Sequence, residues 1–165
     1  MERLIGNTCE EHSPWDRNSA VVNQVLMGVP VVIGTLAIAR QKPLKLIYYL
    51  PGVLLVMTVW RRFVCARCRY YGQECSTLLG IATARMMPRD EEKALGRNAM
   101  IVDFTLLGLL AIIPLPQVLK RSRLAVLYLL SLAAFSTVIL FNACGRCGNE
   151  FCPMKGLEKK VRSFL

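Results

Sequence analysis

The stretch AVVNQVLMGVPVVIGTLAIARQKPLKLIYYLPGVLLVMTVWRRFVCARC, residues 20–68, decides the fold. It holds two apolar runs, Ala20–Ala39 and Leu44–Val64. At 1.5 Å per helical residue, each is long enough to cross a hydrocarbon layer about 30 Å thick. Only the basic turn RQKP separates them, and Lys45 beside it can snorkel outward. Apolar residues cover every side of both runs, so they read as lipid-facing helices rather than the striped helices of a soluble bundle. Directly after the second run comes Cys65-Ala-Arg-Cys68.

The same pattern then returns. Ala99–Val118 and Leu124–Phe141 form a second pair of runs, joined by the basic turn KRSR and followed by Cys144-Gly-Arg-Cys147. Both cysteines of the second pair lie 79 residues after their counterparts, and the same step carries Lys42 onto Arg121. The expected fold is an all-α integral membrane four-helix bundle. Two parallel helical-hairpin repeats are related by an axis along the membrane normal. Pro30, Pro51 and Pro114 fall inside spans, which membrane helices tolerate when neighbours satisfy the freed carbonyls.

The chain divides, within one membrane domain, into a polar tail 1–19 and a first hairpin with its cysteines 20–75. An interfacial cap 76–98, a second hairpin with its cysteines 99–152 and a basic tail 153–165 follow. In the cap, STLLGIATARMM has a one-sided apolar pattern suited to an interfacial helix. PRDEEKALG predicts another short helix, with Pro88 at its first position and Gly96 as its stop. The N-terminus lacks a basic segment followed by an apolar one, so a cleaved signal peptide is not expected.

Four crossings return the chain to its starting side, placing both termini and both cysteine clusters on one face, side A. Side B carries six basic residues (Arg40, Lys42, Lys45, Lys120, Arg121 and Arg123) of the 21 in the chain, leaving fifteen on side A. By the positive-inside bias, side A is expected to be the cytoplasmic face of the cell (inner) membrane. The net charge of +10 accumulates beside the spans, where it meets anionic lipid. No aromatic-rich basic groove accompanies it, so the lipid membrane is the expected partner and nucleic acid is not.

The chemistry lies in the cysteines. A C-x-x-C at a helix end points two sulfurs one way, which suits one metal ion or one disulfide. Cys65, Cys68, Cys75, Cys144, Cys147 and Cys152 are therefore the candidate metal ligands. Four thiolates on one face can hold an iron–sulfur cluster, a single iron or zinc. A dithiol cycling with a disulfide and coupled to quinone is the other chemistry open to them. Cys9 is the seventh cysteine and His12 the one histidine, read as a possible extra ligand and a tail residue.

Asp103, about one turn inside the third span, is a candidate proton or polar site, the alternative being a carboxylate that pairs with Arg97 or snorkels to the interface. Asn23 and Gln24, at matching depth in the first span, read as polar contacts between helices. Trp60, Tyr70 and Tyr71 suit an aromatic belt on which a quinone headgroup could stack. Arg61, Arg62, Arg67 and Arg69 are expected to lower the pKa of the first thiol pair.

Cys65-x-x-Cys68-x-Tyr-Tyr71-Gly72-x-x-Cys75 after span two and Cys144-x-x-Cys147-x-Asn149-x-x-Cys152-Pro153 after span four resemble an uncharacterised group of small prokaryotic four-helix membrane proteins. That resemblance implies the helix layout and the cysteine set. The four-helix quinone-linked disulfide enzymes also couple C-x-x-C to a small bundle, with the cysteines placed differently. The expected function is metal or iron–sulfur binding, with electron transfer between a soluble or membrane redox partner and the membrane. A zinc-stapled structural subunit and a quinone-linked thiol oxidoreductase are the alternatives.

Overall fold

The computed structural model describes residues 13–90, 95–148, 152, 154 and 157–163, which are helical with no strand among them. Four helices are long and apolar enough to span a membrane: α1 (Arg17–Gln41), α2 (Pro43–Ala66), α4 (Arg97–Val118) and α5 (Ser122–Cys144). Between α2 and α4 lies the short α3 (Leu78–Met86), and α6 (Leu157–Arg162) follows α5. The protein is thus an all-α four-helix membrane bundle.

Each span overruns its apolar run by a few residues. Helix α1 starts at Arg17 because the Asp16 side chain accepts the Ser19 N–H at 3.2 Å, satisfying one of the orphan donors of the first turn. Helices α2 and α5 extend to Ala66 and Cys144, so Cys65 and Cys144 lie in the last helical turns. Both helices widen to a π turn near this end, at Leu55–Trp60 and Ile139–Cys144. Such insertions are common where a helix has to re-aim side chains.

Helix α1 is the central member: a third of its apolar window is buried, against 11% in α2 and in α5. The rest of those helices presents Leu54, Leu55, Leu127 and Leu130 outward, as lipid contact requires.

The side B end is closely packed. Tyr49 and Tyr128, separated by the same 79 residues as the cysteines, are 2% and 1% exposed. Tyr128 donates to the Ala111 carbonyl at 2.7 Å, in the turn where Pro114 interrupts α4. Gly34 of α1 is where Pro114 seats; a Cβ there would lie 2.9 Å from Pro114 Cγ. Gln117, 4% exposed, takes the amide orientation in which its nitrogen donates to the Ile113 and Pro114 carbonyls. Its oxygen then accepts from the exposed Lys45 Nζ at 3.0 Å.

In the cap, α3 forms where the apolar pattern predicts it, with Thr77 as N-cap. The second cap helix does not start at Pro88, since Pro88–Asp90 are non-helical; residues 91–94 lie outside the described set. Gly96 starts a helix, as the N-cap of α4. Its extended backbone (φ −87°, ψ 162°) leads directly into Arg97.

Candidate thiol centre

The two C-x-x-C motifs fold into alike turns. The Cys68 N–H donates to the Cys65 carbonyl at 3.1 Å, and the Cys147 N–H to the Cys144 carbonyl at 3.3 Å. After Cys68 the chain reverses at Gly72, whose φ of +82° lies in the left-handed region that a Cβ disfavours. Tyr71 donates its hydroxyl to the Met87 carbonyl, and lies 3.1 Å from that of Ala84, which ties the reversed loop to α3. Helix α3 then offers Gly80 as the seat for Cys75: an added Cβ would fall 2.5 Å from Cys75 Sγ.

Tyr70 joins the two clusters. Its hydroxyl accepts the Gly148 N–H at 2.9 Å, while Arg69 Nη1 donates to the Gly148 carbonyl at 3.0 Å. Trp15 closes the assembly from the N-terminal side. Its indole N–H donates to the Asn142 carbonyl at 2.9 Å, and its ring meets Tyr70 edge-on, 5.0 Å between centroids. With the Arg69 guanidinium 5.9 Å over the ring, Tyr70 is 6% exposed. It is an internal brace, not a member of a lipid-facing belt. Neither Tyr70 nor Trp15 announced this role in sequence, although an isolated tryptophan in the polar stretch SPWD was the available signal.

All six cysteines border one cavity of about 180 Å³ at this end of the bundle. Cys152 reaches it, buried, from the chain beyond α5. None of the six is disulfide-bonded, and among the described residues no three Cys, His, Asp or Glu side chains converge on a point where one ion would sit. The thiols are spread around the walls. Cys68 has Cys75 and Cys147 as electrostatic neighbours, and Cys144 has Cys147 and Cys152. Cys9 and His12 lie outside the described residues.

The Cys68 thiol does not lie below its ordinary range as the number of arginines predicts. Arg67 is paired with Asp90 at 2.8 Å, and Arg69 serves Gly148 and Tyr70. Burial instead pushes the Cys68 thiol up to about 11, against a hydrogen bond from the Tyr70 backbone N–H. With no cation bound, this thiol keeps its proton at neutral pH and is a poor nucleophile.

Asp103 also lines the cavity, 3% exposed. Its partner is Arg61 of α2, with Nη1 3.1 Å from Oδ2, rather than the exposed Arg97. Oδ1 and the Trp60 indole nitrogen are buried nearby without a hydrogen bond of good geometry. Asn23, 1% exposed, donates to the Ser76 carbonyl at 2.9 Å and so binds α1 to the cap rather than to another span.

Comparison with protein-family models, curated proteins and solved structures finds no match. The chemistry of the site therefore has to be read from its geometry.

Proposed function

We propose that this protein carries an iron–sulfur centre on the thiolates of its two cysteine clusters. In this reading it passes single electrons between a soluble partner and the membrane. The observation that carries the reading is the gathering of Cys65, Cys68, Cys75, Cys144, Cys147 and Cys152 around one cavity. A lone zinc or iron needs four ligands converging near 2.3 Å from one point. Thiols spaced around a cavity of about 180 Å³ suit a polynuclear centre better, because its irons lie apart and each takes its own cysteine.

The same volume argues against quinone. Sites for organic ligands of that size run from roughly 300 to 1,000 Å³. The Tyr70 ring, where a headgroup would stack, is occupied by Trp15 and Arg69. The raised Cys68 thiol argues against rapid disulfide exchange.

When bound, such a centre supplies one-electron transfer. A reduced soluble carrier protein gives the electron and an oxidised membrane redox protein takes it, with no bond made or broken. The chain's own residues brace one edge of the site, where Trp15 meets the Tyr70 ring and Tyr70 accepts from Gly148. The distribution of basic residues favours a cytoplasmic position for this face, where soluble carriers are available.

The test is purification without oxygen, with iron, sulfide and zinc analysis and optical and paramagnetic resonance spectra. Iron with matching sulfide and a paramagnetic signal after dithionite are expected. Colourless protein with stoichiometric zinc would replace this reading with that of a zinc-stapled membrane subunit.

A further inference from the structure

The cavity is symmetric in its two C-x-x-C pairs and asymmetric in its charges. The 79-residue step that pairs Cys65 with Cys144 and the buried Tyr49 with Tyr128 carries Arg61 onto Leu140, and Asp103 back onto Gln24. The ion pair thus has no counterpart in the other half of the repeat. Arg61 is the one cation on the cavity wall among the described residues; Arg89 acts on Cys68 from outside that wall.

Asp103 holds this cation with Oδ2, while the Trp60 indole nitrogen is the neighbour of its buried carboxyl and makes no hydrogen bond of good geometry to Oδ1. A pair kept only for packing gains little from a half-satisfied carboxylate, because a buried charge costs several kcal/mol unless its remaining lone pairs are met. At this depth in a membrane helix, the default expectation for such a group is function.

Sulfide cancels most of the iron charge in such a core and the thiolates exceed what remains, so a centre in this cavity is an anion in a low-dielectric site. Each electron added makes it more negative. We propose that Arg61 is the counter-ion of the thiolate centre, that Asp103 competes with the centre for it, and that this pair sets the reduction potential. The inference rests on the iron–sulfur reading above and names the groups that regulate that site.

The two partners then act in opposite directions. The test is a dithionite titration of anaerobically purified protein, followed by paramagnetic resonance. Arg61→Gln should lower the reduced fraction at a fixed potential about tenfold, a downward shift of about 59 mV. Asp103→Asn should raise it by about the same factor, Arg61→Lys should stay near wild type, and Arg123→Gln, at the opposite end, should not move it. Thermal unfolding gives the contrast, since loss of either partner should lower the transition temperature.

Potentials that shift in the same direction in both variants, or in neither, would make the pair structural and overturn the proposal. If Arg61→Gln does not fold, Asp103→Asn decides alone: an upward shift supports the proposal and an unchanged potential overturns it. Wild-type protein without an iron signal would overturn the iron–sulfur reading itself, and this inference with it.

Discussion

The two ends of the bundle are built from the same repeat and are packed in opposite ways. At side B, Tyr49 and Tyr128 fill the space between helices, Gly34 admits Pro114, and Gln117 donates to the Ile113 and Pro114 carbonyls. At side A the equivalent helix ends widen into π turns and surround a cavity, with Asp103 Oδ1 and the Trp60 nitrogen buried without a hydrogen bond of good geometry. One end holds the hairpins together. The other gives up close packing to gather thiols. On the proposed reading, stability and function are separated along the membrane normal, and that separation can be tested.

The largest stability effect is expected from Gly34→Val. A Cβ at Gly34 meets Pro114 at 2.9 and 3.0 Å, so the added methyls force α1 and α4 apart. Overpacking of this kind costs about 3 kcal/mol, measured by unfolding in detergent, with iron per folded chain unchanged. Gly80→Ala should do the reverse. The new Cβ displaces Cys75 Sγ, so iron loading drops severalfold while unfolding shifts by about 1 kcal/mol. A result in which Gly80→Ala unfolds the bundle and Gly34→Val strips the iron would refute the division.

Smaller effects sharpen it. Tyr70→Phe leaves the Gly148 N–H without its acceptor and should cost about 1 kcal/mol, with faster alkylation of Cys147 in metal-free protein. Tyr128→Phe removes the bond to the Ala111 carbonyl within the membrane, where such bonds average about 0.6 kcal/mol. Its alkylation rates should match those of wild type.

The sequence carried the long-range features that repeat or run long. Four apolar runs were legible because a membrane span must be continuously apolar, and the two C-x-R-C motifs were legible because they recur at a fixed step. Four crossings then force Cys65 and Cys144 to one face, and the cavity brings them together.

Single tertiary contacts were not legible. Arg61, rather than the sequence-near Arg97, pairs with Asp103 because α2 delivers it across the bundle at the same depth. The arginine-rich composition around Cys68 predicted a lowered thiol pKa. Whether a charge acts depends on its neighbours, and Asp90 and Gly148 already engage Arg67 and Arg69. Gly96 has the composition of a stop and serves as a start, because the same residue suits either end of a helix.

The central claim is that both clusters form a single shared centre. Iron and acid-labile sulfide per chain, measured anaerobically in wild type, in Cys65→Ser/Cys68→Ser and in Cys144→Ser/Cys147→Ser, test it most directly. The shared centre predicts that either double substitution removes the iron almost completely while the bundle stays folded. Retention of about half the iron in each variant would mean two independent sites, and iron unaffected by either would mean that the cysteines do not hold it.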